Sequence, residues 1–270
     1  MTSAYSDILK RIEAAIDDAR AIFARFTPGA IDAEFKAGHD PVTEADRAID
    51  AVLRQNLLRD GEGWLSEESV DDFSRLGKER VWVVDPLDGT REFVKGIPEF
   101  CVSIGYVKDG RPIAGGIHNP ATNETFIGSI DTGVLYNRKP SKPSQRTSLK
   151  GAMALASRSE MKRGEWNAFD NGLLEIRAMG SVAYKLALVA AGLADITFTL
   201  TPKNEWDVTA GAALVESAGG YVGLLNGNPF RANNRDPLLS GLIACGPHLR
   251  KELLALLEPH LHSGAQRSGE

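Results

Sequence analysis

Two aspartates three positions apart follow a short apolar run, and together they could hold a cation. The run Val81-Trp-Val-Val84 is typical of a buried strand, and it leads into Asp85-Pro-Leu-Asp-Gly-Thr90. The proline and glycine predict a turn that brings Asp88 back beside Asp85. Carboxylates held this close repel each other unless a proton or a cation lies between them. Mg²⁺ prefers oxygen ligands of this kind.

The residues that follow the second aspartate are suited to binding phosphate. Gly89 permits a close approach of the backbone. Thr90 is a residue type favoured at the start of a helix, where free N–H groups attract anions. One segment could therefore supply metal ligands and a phosphate site. The alternative is that Asp-Pro and Asp-Gly form only an ordinary turn.

Acidic residues at two other places could complete a metal site. Glu67 and Glu68 follow a short strand-like segment, and Asp207 stands at the beginning of an apolar, helix-like segment. Each also has a structural interpretation. Adjacent acids often form a solvated surface, and an aspartate at a helix start often caps that helix.

The composition of the 270-residue chain is ordinary for a soluble enzyme. Its net charge of −5 argues against a nucleic-acid-binding surface. No stretch is long and apolar enough to cross a membrane, and the first residues lack the pattern of a signal peptide. Cys101 and Cys245 lie in or beside apolar runs, so we expect reduced core thiols and a cytoplasmic location.

Apolar periodicity predicts a mixed α/β chain. The predicted helices are 6–26, 43–58, a short one after Thr90, 160–167, 181–191, 207–218 and 247–257. The predicted strands are 81–84, 101–107, 112–118, 124–128, 152–156, 174–177, 196–200, 221–225 and 241–245. The polar segment 137–150 predicts a linker. We therefore expect a metal-binding α+β domain at 1–140, an α/β substrate-recognition domain at 150–258 and a flexible tail at 259–270.

Taken in order and spacing, these motifs resemble the inositol monophosphatase superfamily of Mg²⁺-dependent, lithium-sensitive phosphomonoesterases. The resemblance covers about residues 8–257. It rests on Lys36, Pro41-Val-Thr-Glu-Ala-Asp46, Ser66-Glu-Glu68, Asp85-Pro-Leu-Asp-Gly-Thr90 and Trp206-Asp207. It implies a layered α-β-α-β-α sandwich with the metals between the two halves, and a homodimer.

The resemblance also implies a role for each matched residue. The implied ligands of two to three Mg²⁺ ions are Glu67, Asp85, Asp88, Asp207 and the backbone carbonyl of Leu87. Thr90, helped by Asp46, would activate the attacking water. Glu68 would touch water at the metals, and Lys36 would be a cation near them. The implied phosphate cradle is Asp88, Gly89 and Thr90.

Local features divide between two branches of this superfamily. Four of them favour the 3′(2′),5′-bisphosphate nucleotidases: Ser66-Glu-Glu68, Asp85-Pro-Leu-Asp-Gly-Thr-Arg-Glu-Phe93, Ser157-Arg-Ser159 and Pro202-Lys-Asn-Glu-Trp-Asp207. Two others look like the inositol branch: Gly96-Ile-Pro98 and Cys101-Val-Ser-Ile-Gly105. We expect 3′-phosphoadenosine 5′-phosphate as the first substrate candidate and inositol 1-phosphate as the second. Histidinol phosphate and fructose phosphate are the remaining alternatives.

Three residues of the second half are candidates for substrate binding. Gly180 and Ser181 open a predicted helix where a backbone could approach a ligand, although this could be a plain helix start. Arg158 could bind a second phosphate or could be an ordinary solvated arginine. A catalytically silent, dimeric interaction module is the non-enzyme alternative. Because all four metal carboxylates are present together with Thr90 and Asp46, the sequence favours an enzyme.

Overall fold

The computed structural model describes residues 4–35 and 41–261. Its helices are α1 Ser6–Phe23, α2 Glu44–Leu57, α3 Thr90–Val94, α4 Arg158–Lys162, α5 Val182–Ala190, α6 Glu205–Ser217 and α7 Arg250–Leu261. The first nine strands are β1 Glu34–Phe35, β2 Pro41–Val42, β3 Gly63–Ser66, β4 Arg80–Asp88, β5 Cys101–Lys108, β6 Arg111–Asn119, β7 Glu124–Ser129, β8 Gly133–Tyr136 and β9 Lys139–Ser141. The others are β10 Ala152–Ser157, β11 Leu174–Met179, β12 Ile196–Thr199, β13 Lys203–Asn204, β14 Tyr221–Gly223, β15 Leu238–Leu239 and β16 Leu242–Cys245.

A seven-stranded sheet in the order β3-β4-β5-β6-β7-β8-β9 forms the first half. Only its β3–β4 pair is parallel. Side chains alternate between the two faces, as a strand dictates. Trp82 and Val84 pack with α1 and α2, whereas Val81 and Val83 pack with α5 and α6. Both faces of the sheet are therefore covered by helices.

A second, five-stranded sheet in the order β11-β10-β12-β16-β14 forms the other half. One of its faces packs on α5. The other face packs on α7 through Leu253 and Leu257, which are buried in one cluster with Phe198 and Ile243. The layers thus run helices, sheet, helices, sheet, helices, and the predicted α-β-α-β-α sandwich is confirmed. Among the described helices, none has both the length and the apolar character needed to span a membrane.

A row of glycines lets α6 lie close to the first sheet. Gly105 of β5 pairs with Gly115 of β6, and both face α6. A Cβ on Gly115 would lie 2.5 Å from the backbone oxygen of Ala210, and one on Gly105 would lie 2.7 Å from the Thr209 side chain. The helix that carries Asp207 is therefore held at a distance that larger residues would not permit.

Two helices end earlier than predicted. The first ends at Phe23, because Arg25 and Phe26 donate to carbonyls only three residues back and continue the chain as a tighter turn. The helix predicted at 160–167 is α4, Arg158–Lys162. It stops at Gly164, whose φ of +79° is incompatible with a right-handed helix.

The predicted linker at 137–150 is partly sheet, so that prediction was wrong for its first residues. β8 and β9 form a hairpin in which Tyr136 pairs with Lys139. Its turn residues, Asn137 and Arg138, have φ values of 47° and 65°. This left-handed pair is typical of a tight two-residue hairpin turn, and an arginine at the second position hides the usual Asn-Gly signal.

The first residues of the predicted flexible tail, 259–261, are helical, so that prediction was wrong for them. α7 continues to Leu261 with Pro259 inside it. The ring of His260 lies 4.7 Å from that of Phe169, and this contact favours continuation of the helix. The rest of the predicted tail, 262–270, lies outside the described residues.

Candidate active site

Strand alternation brings Glu67 and Asp85 to one face at one edge of the first sheet. β3 runs parallel to β4, with Leu65 beside Val83, and both side chains face the α6 side. Two residues further along each chain, the same parity directs Glu67 and Asp85 toward α6. The backbone N–H of Glu67 donates to the Val84 carbonyl at 3.3 Å, so the two chains stay adjacent.

The N-terminus of α6 supplies the third carboxylate. Asp207 lies in the first turn, where its Oδ2 accepts a hydrogen bond of 3.0 Å from the backbone N–H of Asn204. The cap predicted as the structural alternative is thus present. Asp207 also joins a carboxylate cluster that could hold a cation, which we call the cation site: one ligand atom each from Glu67, Asp85 and Asp207 lie within 4.8 Å of one another. The helix cap therefore holds a potential metal ligand rigidly.

Placing these three carboxylates close together costs free energy when all are ionised and no positive charge lies between them. Burial, followed by the charges of Glu67, Asp88 and Asp207, raises the pKa of Asp85 well above its usual value. Burial, followed by the charges of Asp88 and Glu67, does the same to the pKa of Asp207. A cluster of buried, mutually repelling oxygen ligands fits a hard divalent cation such as Mg²⁺.

Asp88 reaches the second half of the molecule. The register of the β4–β5 pair shifts between Asp85 and Asp88, which interrupts the alternation. Oδ2 of Asp88 accepts hydrogen bonds from Ser181 Oγ at 2.7 Å and from the backbone N–H of Ala183 at 2.6 Å. Burial raises the pKa of Asp88, although these two bonds oppose the rise. One carboxylate therefore caps α5 and adds its charge to the cation site.

Thr90 lies beside the acid that was predicted to help it. Its Oγ1 is 3.1 Å from Oδ1 of Asp46 and 2.9 Å from the carbonyl oxygen of Leu87. Asp46 Oδ2 accepts bonds from the backbone N–H and the hydroxyl of Thr43, at 2.7 and 2.6 Å. Burial raises the pKa of Asp46, and the bonds from Thr43 and Thr90 oppose the rise. The capping box predicted at the start of α2 thus fixes the acid that orients Thr90.

Gly89 occupies a position that only glycine fits comfortably. Its φ is +97°, and a Cβ would lie 2.7 Å from the carbonyl oxygen of Glu99. The turn predicted to cradle phosphate therefore packs against the backbone of Glu99 more closely than a side chain at its centre would permit. Two other predicted residues are less defined. Glu68 is half-buried and its backbone N–H donates to Ser66 Oγ at 3.3 Å. Lys36 lies outside the described residues.

Gly180, Ser181 and Arg158 line the same cavity as the carboxylates, and each also joins the two halves. The N–H of Gly180 donates to Glu99 at 2.7 Å, and Ser181 caps α5 by accepting from the Tyr184 N–H at 3.0 Å. Arg158 donates two hydrogen bonds of 2.6 Å to Glu99. Its guanidinium is therefore partly occupied, and its role toward a second phosphate stays a prediction.

The cavity of about 280 Å³ is also lined by three residues that the sequence analysis did not assign to the site: Glu92, Lys185 and Lys203. Only 4% of Lys185 is exposed, and burial lowers its pKa. Lys203 pairs with Glu160 at 3.1 Å. The sequence feature that could have identified Lys185 as a site residue is its single charge within the otherwise apolar helix Val182–Ala190. Glu92 is half-buried, and burial followed by the charge of Asp88 raises its pKa.

Comparison with known proteins agrees with this geometry. The sequence model of the inositol monophosphatase family matches residues 5–262. Inositol monophosphatase 3 of Solanum lycopersicum is 34% identical over 210 residues, which cover 73% of this chain and 78% of that protein. The Nus factor SuhB of Xylella fastidiosa is 36% identical over 197 residues, covering 69% and 70%. The structure of a Thermotoga maritima IMPase superposes with a TM-score of 0.82 at 27% identity, covering 95% of this chain and 99% of that one.

Proposed function

Because the chain belongs to the inositol monophosphatase family, we propose that it hydrolyses small phosphate monoesters with Mg²⁺ held by Glu67, Asp85 and Asp207. The observation that carries this proposal is the convergence of these three carboxylates beside the Thr90–Asp46 pair. Asp88 and the Leu87 carbonyl would complete the ligand set. When bound, Mg²⁺ would acidify water and neutralise phosphate charge.

The protein's own groups then have separate tasks. Thr90 can pass its hydroxyl proton to Asp46 while it accepts a proton from the attacking water, because Oγ1 and Oδ1 are 3.1 Å apart. The raised pKa of Asp46 makes that carboxylate a better proton acceptor than an exposed aspartate. Gly89 and Thr90 line the same cavity as the carboxylates, so this turn could receive the phosphate oxygens.

For the substrate, we propose a phosphate ester with a second anionic group, of which 3′-phosphoadenosine 5′-phosphate is the first candidate. Arg158 and Lys203 line the cavity but each is paired with a glutamate. Among the described residues, the Lys185 side chain makes no hydrogen bond or ion pair, and it lines the cavity, so its ammonium is available to a ligand. A buried ammonium regains its lost solvation when an anion binds beside it.

Inositol 1-phosphate is the second candidate. The relatives compared above are named inositol monophosphatases or SuhB, and none of those three is named a nucleotidase. The segments 96–98 and 101–105 favour the same branch. Fructose bisphosphate and histidinol phosphate are tested alongside, since the fold alone does not determine the substrate.

Phosphate release with Mg²⁺ tests the proposal, with 3′-phosphoadenosine 5′-phosphate, inositol 1-phosphate, fructose 1,6-bisphosphate and histidinol phosphate compared at equal low concentration. We expect the nucleotide to have the highest kcat/KM. Lys185→Met should lower that value by about tenfold or more and change inositol 1-phosphate turnover little. Lys251→Met, on the exposed side of α7, is the matched control. Equal loss on both substrates would contradict a role for Lys185 in selecting the nucleotide.

The substitution Asp88→Asn distinguishes the enzyme hypothesis from the hypothesis of a catalytically silent module. The amide oxygen can still accept from Ser181 and Ala183, so the fold should be kept while turnover is abolished. Full activity in this variant would remove Asp88 from the metal assignment. A wild-type protein that releases no phosphate and melts at the same temperature with Mg²⁺ or EDTA would support the silent module. The cytoplasmic location and the homodimer stay predictions.

A further inference from the structure

Behind the metal carboxylates lies a second group of buried polar contacts that begins at Glu205. This residue is fully buried and stands two positions before Asp207. Its Oε2 accepts from the Asn233 N–H at 2.6 Å. Its Oε1 accepts from the Asn234 N–H at 2.9 Å and from the Asn234 side-chain amide at 2.7 Å. The start of α6 is thus tied to the loop 231–237.

The same loop is tied on its other side to Arg75, which is also fully buried. Arg75 Nη1 donates to Asn233 Oδ1 at 2.8 Å and to the Asn234 carbonyl at 2.9 Å. The Asn233 amide donates back to the Arg75 carbonyl at 3.2 Å. Arg75 Nη2 donates to Asp71 at 2.8 Å, and Asp71 lies four residues after Glu67.

These five residues form one continuous set of contacts, which we call the asparagine clamp: Asp71, Arg75, Asn233, Asn234 and Glu205. At one end it holds the segment that follows Glu67, and at the other it holds the turn that carries Asp207. The loop between them is fixed independently. The Ala232 N–H donates to the Gly110 carbonyl at 3.0 Å, and the Glu205 N–H donates to the Pro237 carbonyl at 2.8 Å.

The two segments need such a connection because their carboxylates repel each other. One carboxylate oxygen of Glu67 and one of Asp207 lie within 4.8 Å of each other. Like charges a few ångströms apart push their segments away from each other in a buried site. Without a fixed frame, Glu67 and Asp207 would separate before a cation binds, and the cation would have to draw them back together.

We propose that the asparagine clamp positions Glu67 and Asp207 for the cation and so sets the affinity of the site for Mg²⁺. The inference rests on the proposed metal site. In this proposal the positioning residues are Arg75, Asn233, Asn234 and Glu205. They act through the metal ligands, as residues that contact the ligands affect metal affinity in other proteins.

Two variants test the clamp at different points. Glu205→Gln replaces one carboxylate oxygen by an NH₂ group, which then faces an N–H donor of Asn233 or Asn234. Asn233→Gly removes both side-chain bonds to Arg75, and glycine adopts the φ of 67° found there without strain. Glu62→Gln is the matched control. Glu62 is likewise a buried glutamate that accepts several hydrogen bonds, here from Arg11 and Trp82, but it packs among α1, α2 and β4, on the other face of the sheet.

Mg²⁺ binding is measured by isothermal titration calorimetry, and the melting temperature is measured in EDTA. We expect the Mg²⁺ Kd to rise about tenfold in Glu205→Gln and at least threefold in Asn233→Gly. In Glu62→Gln the melting temperature should fall while the Kd stays within about twofold of wild type. Phosphatase assays at saturating Mg²⁺ should restore most of kcat in both clamp variants.

Wild-type Kd values in Asn233→Gly and Glu205→Gln, with only lower melting temperatures, would overturn the clamp and leave the metal site intact. If Glu205→Gln does not fold, Asn233→Gly decides alone, because its backbone conformation is preserved. A wild-type protein that binds no Mg²⁺ would overturn the metal site and the clamp together. The two failures are therefore distinguishable.

Discussion

Asp88 and Thr90 show how much of the site depends on single side chains with more than one partner. Asp88 caps α5 through one oxygen, and in addition to burial its charge raises the pKa of Asp85 and of Asp207. Thr90 has one hydroxyl proton and two acceptors within reach, Asp46 and the Leu87 carbonyl. Since the hydroxyl can donate to only one of them at a time, Thr90 can turn its hydrogen bond from the Leu87 carbonyl to Asp46.

Replacing Thr90 tests this directly. Thr90→Val keeps the shape but removes the hydroxyl, so we expect kcat to fall by at least about a hundredfold. Thr90→Ser keeps the hydroxyl and should retain most activity. Steady-state kinetics and Mg²⁺ titration provide the measurement, and the Mg²⁺ Kd should change little in either variant. A valine variant with more than about a tenth of the wild-type kcat would exclude Thr90 from proton transfer.

At the scale of elements, α6 links the site to the centre of the fold. It carries Asp207 and Glu205 at its start and lies on Gly105 and Gly115 along its length. On its other side, a Cβ on Gly211 would lie 2.4 Å from the Leu186 side chain, so α5 also packs very closely. Small residues on both sides therefore fix where the helix begins, and with it the position of the third carboxylate.

Gly115→Ala should move this helix. The new Cβ would lie 2.5 Å from a backbone oxygen of α6, which cannot rotate away. We expect a loss of about 1–3 kcal/mol in the free energy of unfolding from urea denaturation, with weaker Mg²⁺ binding. Gly77→Ala is the control, since a Cβ there has no atom within 4 Å. Equal stability of the two variants would show that the close approach is not needed.

At the scale of the whole molecule, the two halves meet at charged and polar contacts around the site. Glu99 of the first half binds Arg158 and the Gly180 N–H of the second. His118 joins α1 to the first sheet. It accepts from Arg20 Nε at 3.2 Å and is 3.0 Å from the Glu124 carbonyl. Burial, followed by the charge of Arg20, lowers the pKa of His118 to about 4.

His118 should make the protein sensitive to mild acid. The unfolded chain binds its proton near the ordinary pKa of 6.5, whereas the folded chain binds it only near about 4. Stability should therefore fall as pH decreases through that interval, by up to about 3 kcal/mol. Urea denaturation across the interval should show a flatter profile for His118→Gln. An identical profile would assign the acid sensitivity to other groups.

Local chemistry made several parts of this site predictable from the sequence. The Asp-Pro-Leu-Asp-Gly-Thr turn, the capping box at Thr43 and Asp46 and the alternation of β4 each depend on residues within a few positions of one another. Hydrophobic periodicity likewise predicted most strands, whereas the layer order came from the family resemblance. The β8–β9 hairpin was missed because its turn lacks the glycine that usually marks it.

Only the tertiary structure decided which distant residues meet. Arg75 and Asn233 are 158 positions apart, and Arg158 and Glu99 are 59 apart. Their pairing follows from how the two sheets and α6 pack, which no local pattern encodes. The same packing places Lys185, which is a single charge in an apolar helix, in the lining of the cavity. The sequence thus determined which carboxylates could bind a cation. Packing decided which basic side chains and hydrogen bonds surround these carboxylates, because those contacts exist only once the layers have assembled.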